Sequence, residues 1–291
     1  MTNVSVVVPT YNRVERLGRV IGSLERQDIA LERFEVIVVS DGSTDGTTEF
    51  LAALQTPLSL VSVVQENQGP AAARNNGVQR ARGELILFID DDVLPTPALI
   101  REHLKTHTGQ GNTIVLGPML SPTGFRMAPW VGWEQEMLLK QYNAMQQGLW
   151  EPTARQFYTG NTSLSRRQLL DSGGFDARFR RAEDVELAYR LARGGAVFIF
   201  NPRAVGYHYA ERTFRSWIEI PYQYGRNDVV FAREGEHWIF DILRREFGER
   251  NNLIRALIRS CLDRAALSKA VLAALKQAAV CLLYTSPSPR D

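Results

Sequence analysis

The sequence predicts an α/β protein: a mostly parallel sheet with helices on both faces, followed by a helical C-terminal appendage. Three observations carry this. Apolar, β-branched runs recur, each is followed by a segment of helical period, and turn-forming residues gather where each run ends. Residues 4–8 (VSVVV) read as a strand covered on both sides. Residues 13–27 follow as a helix, with Val14, Leu17, Val20, Ile21 and Leu24 at helical spacing. Residues 34–39 (FEVIVV) are a second strand, and the DGSTDG after it is rich in turn and helix-capping chemistry. A helix over 44–54, a strand over 58–64 and a helix over 70–82, with Pro70 in its first turn, continue the alternation. Residues 84–89 (ELILFI) form a fourth strand ending at Asp90-Asp91-Asp92, and 97–108 another helix. Such repetition predicts right-handed crossovers. Beyond about residue 117 the pattern turns irregular, with a helix near 134–147, short strands near 157–164 and 196–200, and mainly helix over 226–280.

Composition narrows the function classes. The chain has 291 residues, 44% of them apolar, with 22 Gly and 13 Pro, which excludes disorder, collagen and a disulfide scaffold. Thirty-four basic against 32 acidic residues argue against a nucleic-acid partner, which would demand a strong basic excess. Cys261 and Cys281 form neither a disulfide framework nor a metal-type spacing. The N-terminus shows no secretory pattern and no apolar run reaches 18 residues, so a cytoplasmic protein is expected. The last eleven residues, CLLYTSPSPRD, resemble a reading frame through a sequencing adapter, so residues 281–291 are expected to be non-native and the natural chain to be cut near Val280.

The chemistry follows from where the loops fall. In an open parallel sheet, ligands bind beyond the carboxyl ends of the strands. Three polar loops belong there: Pro9-Thr10-Tyr11-Asn12-Arg13, Ser40-Asp41-Gly42-Ser43 and Asp90-Asp91-Asp92. In an extended segment, Asp90 and Asp92 project to one side, and converging carboxylates call for a cation between them. Carboxylate oxygens suit a hard divalent ion, Mg²⁺ or Mn²⁺, able to bridge two phosphates. A solvated acidic turn is the alternative, and the triplet's place after an apolar strand beside two other polar loops favours the metal.

SVVVPTYNR, VIVVSDGSTDGT, NQGPAAARNNGVQRARGELILFIDDDV, GGF and RAEDVELAYRLARGG, in that order over residues 3–210, resemble the motifs of family 2 glycosyltransferases. The resemblance implies the GT-A fold, a Rossmann-like layer over 1–225 with a nucleotide-binding half (about 1–117) and an acceptor half (118–225). It implies inverting, metal-dependent transfer of a sugar from a nucleotide-diphospho-sugar to an acceptor hydroxyl, in polysaccharide or glycoconjugate synthesis. Under it, the 9–13 loop and Asp41 would hold the base and ribose, although Ser40 stands where relatives often carry a second acid. Asp41 also reads as a turn or capping residue. Arg74 would lie near the nucleotide, or stand on the surface of its helix. Asp92 would bind the metal, Asp90 would share itself between ribose and ion, and Asp91 would stand with the nucleotide-binding residues or, as strand alternation suggests, face away. Glu183-Asp184 resembles the family's acceptor-side pair, with Asp184 the general base, although acids also suit any first helical turn.

Further candidates are Gly160 and Asn161, resembling a position that lines the sugar pocket, and His208 as a third metal ligand or as a structural histidine. Asn161-Thr162-Ser163 also fits the N-glycosylation pattern. His103 and His107, four apart, read as surface helix positions. Gln223-Tyr224-Gly225-Arg226-Asn227 partly resembles the Q-x-x-R-W signature of processive relatives. Asn227 replaces the Trp, which implies non-processive addition, and Arg226 could reach the diphosphate. Trp130, Trp133 and Trp150 serve either sugar stacking or packing. Residues 251–280 carry five basic side chains against one acid, so this segment either packs on its own domain or lies on anionic lipid, near a lipid-linked acceptor. A nucleotidyltransferase, or a binding module without catalysis, are the alternative functions; the first would ask for a glycine-rich loop after strand one, where PTYNR stands.

Overall fold

The computed structural model describes residues 3–107, 111–179, 181–233 and 238–285. Strand β1 (Val4–Thr10) pairs in parallel with β2 (Phe34–Asp41), and β2 with β3 (Leu60–Gln65). On its other side β1 pairs in parallel with β4 (Leu85–Ile89). Every residue of β1 and β2 is buried, which is why those two runs show no polar alternation.

The two faces are read from side-chain parity. Val4, Val6 and Val8 join Leu17, Val20, Ile21 and Leu24 of helix α1 (Val14–Leu24) in one apolar cluster. Val7 points the opposite way, to helix α3 (Pro70–Arg80). Between these helices along the chain lies α2 (Thr47–Ala53). A Cβ on Gly77 of α3 would sit 2.5 Å from Val7 Cγ1, so only glycine lets the helix approach the sheet this closely. Glu35 ties the buried base of the sheet together: it accepts from Ser5 Oγ (2.6 Å), the Arg82 amide (2.7 Å) and Arg82 Nε (2.8 Å).

After β4 come β5 (Val93–Pro95), α4 (Leu99–Thr106), β6 (Thr113–Leu116), β7 (Met119–Leu120) and α5 (Pro129–Gln146). Strand β8 (Asn161–Ser165) then enters the sheet between β4 and β6, antiparallel to both. Helices α6 (Arg166–Asp171) and α7 (Glu183–Arg193), and strands β9 (Val197–Phe200) and β10 (Gly206–His208), follow. The seven-stranded order is β3-β2-β1-β4-β8-β6-β9, parallel everywhere except at β8. A second sheet, β5-β10-β7, lies beyond the ends of β4 and β6.

His103 and His107 are not surface positions. His103 is 1% exposed and lies within hydrogen-bond distance of Ser163 Oγ (2.8 Å) and Asn161 Oδ1 (2.9 Å), while His107 Nε2 lies 2.7 Å from Ser163 Oγ. Their period places them with buried Leu99 and Ile100, on the face that α4 turns to the sheet.

Helix α8 (Phe214–Arg233) contains Pro221, and there the chain divides into two compact units, 1–220 and 221–291. The second unit holds the remainder of α8, α9 (Trp238–Glu249), α10 (Asn252–Cys261) and α11 (Ala265–Thr285). Residues 286–291 of the expected non-native tail lie outside the described residues. Among the described residues, no helix is long and apolar enough to cross a membrane.

Candidate active site

The site grows from the carboxyl ends of β1, β2 and β4. The triplet after β4 is a tight turn, closed by the Val93 amide donating to the Asp90 carbonyl (3.1 Å), not an extended segment. This corrects the expectation that Asp91 faces away. Asp91 is buried and accepts from Thr10 Oγ1 (2.8 Å) and Arg13 Nη1 (2.7 Å). The same Arg13 nitrogen donates to Asp92 Oδ2 (2.9 Å), so one guanidinium spans two carboxylates. Asp92 also faces Arg16 (3.7 Å) and His208 Nε2 (3.5 Å). Burial lifts both carboxyls above the usual aspartate range, and the Asp90 charge adds to the effect at Asp92. His208 is delivered by β10, whose register sets it opposite Val93, next to Asp92 in the chain. Burial pushes its imidazole down to about 4, and among the described residues its buried Nδ1 has no partner.

Asp90 turns the other way. Arg74, buried on α3, donates from Nη2 to Asp90 Oδ1 (2.9 Å) and from Nη1 to Glu183 Oε1 (2.7 Å). Arg74 is therefore a buried bridge, not a surface arginine, and Glu183 holds its other end. Its neighbour Asn75 accepts from the Phe175 amide (2.9 Å) and donates to the Phe175 carbonyl (2.7 Å). The GGF segment is thereby fixed on α3, and Phe175 sits 5.7 Å below the Arg74 guanidinium. Asn75 is a positioning residue that sequence reasoning passed over.

Helix α7 begins at Ala182, whose φ of 57° is a left-handed conformation rare outside glycine. That entry turns Glu183 and Asp184 toward Arg74. Asp184 is half-buried; burial pushes its carboxyl up to about 7, and the Glu183 charge adds to this against the pull of Arg74.

Other expected residues have structural work. Asp41 accepts from Gln65 Nε2 (2.7 Å) and the amides of Gln68 (2.9 Å) and Gly69 (2.8 Å), anchoring the loop ahead of α3. A carboxylate offers about four acceptor sites, so one remains for a ligand. Asn12, at φ 52°, accepts from the Thr44 amide (2.7 Å) and ties the first loop to the second. Pro9 is buried at the end of β1 and Tyr11 is half exposed. Asn161 is fully buried, and its amide donates to the carbonyls of Pro118 (3.1 Å) and Ala204 (2.7 Å). That side chain is engaged inside the protein, which removes it from both a sugar pocket and a glycosylation site. Gly160 does border the site: a Cβ there would stand 3.1 Å from Asp90 Oδ2. Trp130 donates to the Arg212 carbonyl (2.9 Å) and packs edge-on to Phe214, while Trp133 does so to Trp217. Arg226 belongs to the second unit.

A cavity of about 780 Å³ opens beside Arg13 and is also lined by Arg16, Arg126, Glu211, Arg212 and Thr213. None of these five was singled out from the sequence. Arg16 alone carried a signal, one turn after Arg13 on the same helix. Among the described residues, no three His, Cys, Asp or Glu side chains close around a single ion position.

The family model of Glycosyl transferase family 2 matches residues 5–174. The chain belongs to that family. Validoxylamine A glucosyltransferase of Streptomyces hygroscopicus subsp. jinggangensis is 36% identical over 223 residues, which cover 66% of this chain and 51% of that one. The uncharacterized glycosyltransferase YfnE of Bacillus subtilis is 28% identical over 252 residues, 70% of this chain and 64% of its own. The chain thus spans about half to two thirds of these relatives. Among solved structures, the mannosyltransferase PcManGT of Pyrobaculum calidifontis, in complex with GDP-Man and Mn²⁺, is 22% identical with a TM-score of 0.68, covering 97% of this chain and 81% of that one. S. aureus TarS 1-349 in complex with UDP-GlcNAc is 23% identical with a TM-score of 0.56, covering 73% and 59%. As in these neighbours, the fold is GT-A.

Proposed function

We propose that this family 2 chain transfers a glycosyl group from a nucleoside-diphosphate sugar to an acceptor hydroxyl, with inversion at the anomeric carbon. The observation that carries the reading is Asp184, a half-buried carboxyl held near neutrality at about 7 and facing Arg74 and Asp90. A base so poised takes the acceptor proton as the acceptor oxygen attacks the anomeric carbon. The bond from that carbon to the diphosphate oxygen breaks, and its electron pair leaves with the nucleoside diphosphate. Pro9, Thr10, Tyr11 and Asn12 border the base, Asp41 offers its remaining acceptor site, and Arg13 faces the phosphates.

Asp92 and His208, 3.5 Å apart, and the Asp90 oxygen not engaged by Arg74 are the groups that would hold a Mn²⁺ or Mg²⁺ ion, which would have to draw the three together. The raised carboxyls at Asp91 and Asp92 support the same reading: burial lifts them in spite of Arg13, and a divalent cation would favour their ionised form. When bound, the ion neutralises the leaving diphosphate. Relatives named as glucosyltransferases, and neighbours holding UDP-GlcNAc or GDP-Man with Mn²⁺, support the donor class and the metal. The acceptor in this proposal is a glycan or a lipid-linked glycan, extended non-processively in the cytoplasm or at the inner face of its membrane.

Incubation with Mn²⁺ and a panel of nucleotide sugars tests it. Release of nucleoside diphosphate, abolished by chelation and strongly reduced in Asp184→Asn, is the expected result. Pyrophosphate release, or tight binding with no turnover, would overturn it.

A further inference from the structure

The second unit contains a helical hairpin, α10 and α11, on which large apolar side chains stay uncovered among the described residues. Helix α10 starts cleanly, with Asn251 Oδ1 accepting from the Leu253 amide (2.8 Å), and its turns then separate two chemistries. Leu253, Ile254 and Leu257 share one side of the helix, and Arg255 and Arg259 share the other. No residue of α10 is buried. Leu253 is 77% exposed, and Leu262, in the turn before α11, is 60% exposed. Leu267, Leu272 and Leu275 of α11 are exposed as well. Seven large apolar side chains thus stand in solvent within 23 residues, far more than the scattered leucines of an ordinary surface.

Charge identifies the occupant. Residues 252–275 carry Arg255, Arg259, Arg264 and Lys269 against one acid, Asp263. A second copy of the hairpin would bring basic side chains against basic side chains, so self-association is disfavoured. An anionic lipid surface satisfies both halves: leucines enter the acyl boundary, while the long basic side chains reach headgroup phosphates along the rim. Folded packing inside the hairpin does not depend on the exposed stripe. Its two helices are tied instead by Ser268 Oγ donating to the Cys261 carbonyl (2.8 Å), and α10 to α9 by Arg259 over Phe247 at 5.5 Å.

We propose that α10 and the start of α11 form a docking surface for an anionic membrane, lying in the plane of the headgroups. The inference rests on this surface alone and is independent of the glycosyl-transfer reading.

The test is co-sedimentation of the full chain with vesicles of phosphatidylcholine alone or mixed with phosphatidylglycerol. The wild type is expected to bind the mixed vesicles, less so as sodium chloride is raised. The pair Leu253→Ser and Leu257→Ser should weaken binding roughly a hundredfold from lost apolar burial. The pair Arg264→Glu and Lys269→Glu should weaken it roughly thirtyfold or more. All four side chains are exposed, so circular dichroism should show unchanged helix, and nucleotide-sugar cleavage in vesicle-free solution should be unaltered. Equal binding by wild type and the leucine pair, or no binding to anionic vesicles, would overturn the proposal. So would a wild-type dimer in analytical centrifugation that the leucine pair converts to monomer.

Discussion

The Arg74 guanidinium lies 2.7 Å from the Glu183 carboxylate, joining two side chains 109 residues apart inside the protein. Both partners are buried, and the second arm of the fork holds Asp90 at 2.9 Å. Removing the arginine leaves a buried carboxylate without its cation, the costly half of a buried pair. Arg74→Gln should therefore lose about 3–5 kcal/mol of stability in urea unfolding. A loss below about 1 kcal/mol, the range of exposed pairs, would show that the bridge is open to solvent.

Asp184 makes a pH prediction with a definite sign. Its folded-state value, about 7, stands above the ordinary aspartate value. The protonated form is favoured in the fold, so its stabilisation is full below about pH 4 and fades as pH rises through about 7. Turnover, which needs the ionised base, should climb over the same upper interval. Asp184→Asn should flatten the fall in melting temperature between pH 5 and pH 8 and lower turnover by about 10²–10⁴. A turnover profile flat from pH 5 to 8 in the wild type would separate Asp184 from the proton transfer.

Strands β1, β2 and β4 were legible because burial on both faces writes itself as runs dominated by valine, isoleucine, leucine and phenylalanine. The loops at their ends then follow from the parallel arrangement alone, and these include Thr10, Arg13, Asp41 and Asp90–Asp92. Strand β8 was harder. Its sequence, NTSLS, is polar, yet it lies in the middle of the sheet because Asn161 and Ser163 are paired with His103 and His107. Neither half of that pairing is visible without the other, so the histidines read as surface and the asparagine as a pocket residue. The Asp90 turn was misread for a related reason: two-residue alternation holds only while the chain stays extended. Arg74 and Glu183 were each named, but their bond depends on how α7 docks, which no local pattern records.

The His103 and Asn161 contact fixes a set of protons. Asn161 donates both amide hydrogens to carbonyls, so its oxygen must accept, and His103 Nε2 carries the proton. Ser163 then donates to His103 Nδ1, and His107 Nε2 donates to Ser163. His103 must be neutral for this chain of bonds, since its Nδ1 accepts, and burial lowers both imidazoles to about 4. The unfolded state binds protons more readily, so stability should be full above about pH 6.5 and fall as pH drops toward 4. Asn161→Asp loses two donors and sets a carboxylate against two carbonyls, a loss of about 2 kcal/mol or more in urea unfolding at pH 7.5. A midpoint within error of wild type would mean that the Pro118 and Ala204 carbonyls had found other partners.

Gly77 tests the closeness of helix and sheet. Its virtual Cβ lies 2.5 Å from Val7 Cγ1 and 3.3 Å from Val39 Cγ2, two valines locked in the central strands. In an exposed helix, alanine would gain about 1 kcal/mol over glycine. Here Gly77→Ala must push α3 outward, and with it Arg74 and Asn75 on the same helix. The expected sign is reversed, a loss of about 1–3 kcal/mol by overpacking. A gain in melting temperature would place α3 farther from β1.

The Asp90–Asp92 turn separates two carboxylates by the partners they hold. Asp91 is fastened by Thr10 and Arg13 below the surface, whereas Asp92 has His208 at one oxygen and Arg13 at the other. A divalent ion between Asp92 and His208 would compete with Arg13 for Asp92 alone, leaving the Asp91 bonds intact. Asp92→Asn should therefore abolish the Mn²⁺ dependence of nucleoside-diphosphate binding in calorimetry while sparing the fold. Asp91→Asn should do the converse, lowering stability through the loss of its buried charge-assisted bond to Arg13 and keeping the Mn²⁺ dependence. Equal loss of Mn²⁺ dependence in both variants would mean that the turn acts as one acidic patch, and that the orientation given to it by Thr10 has no bearing on the ion.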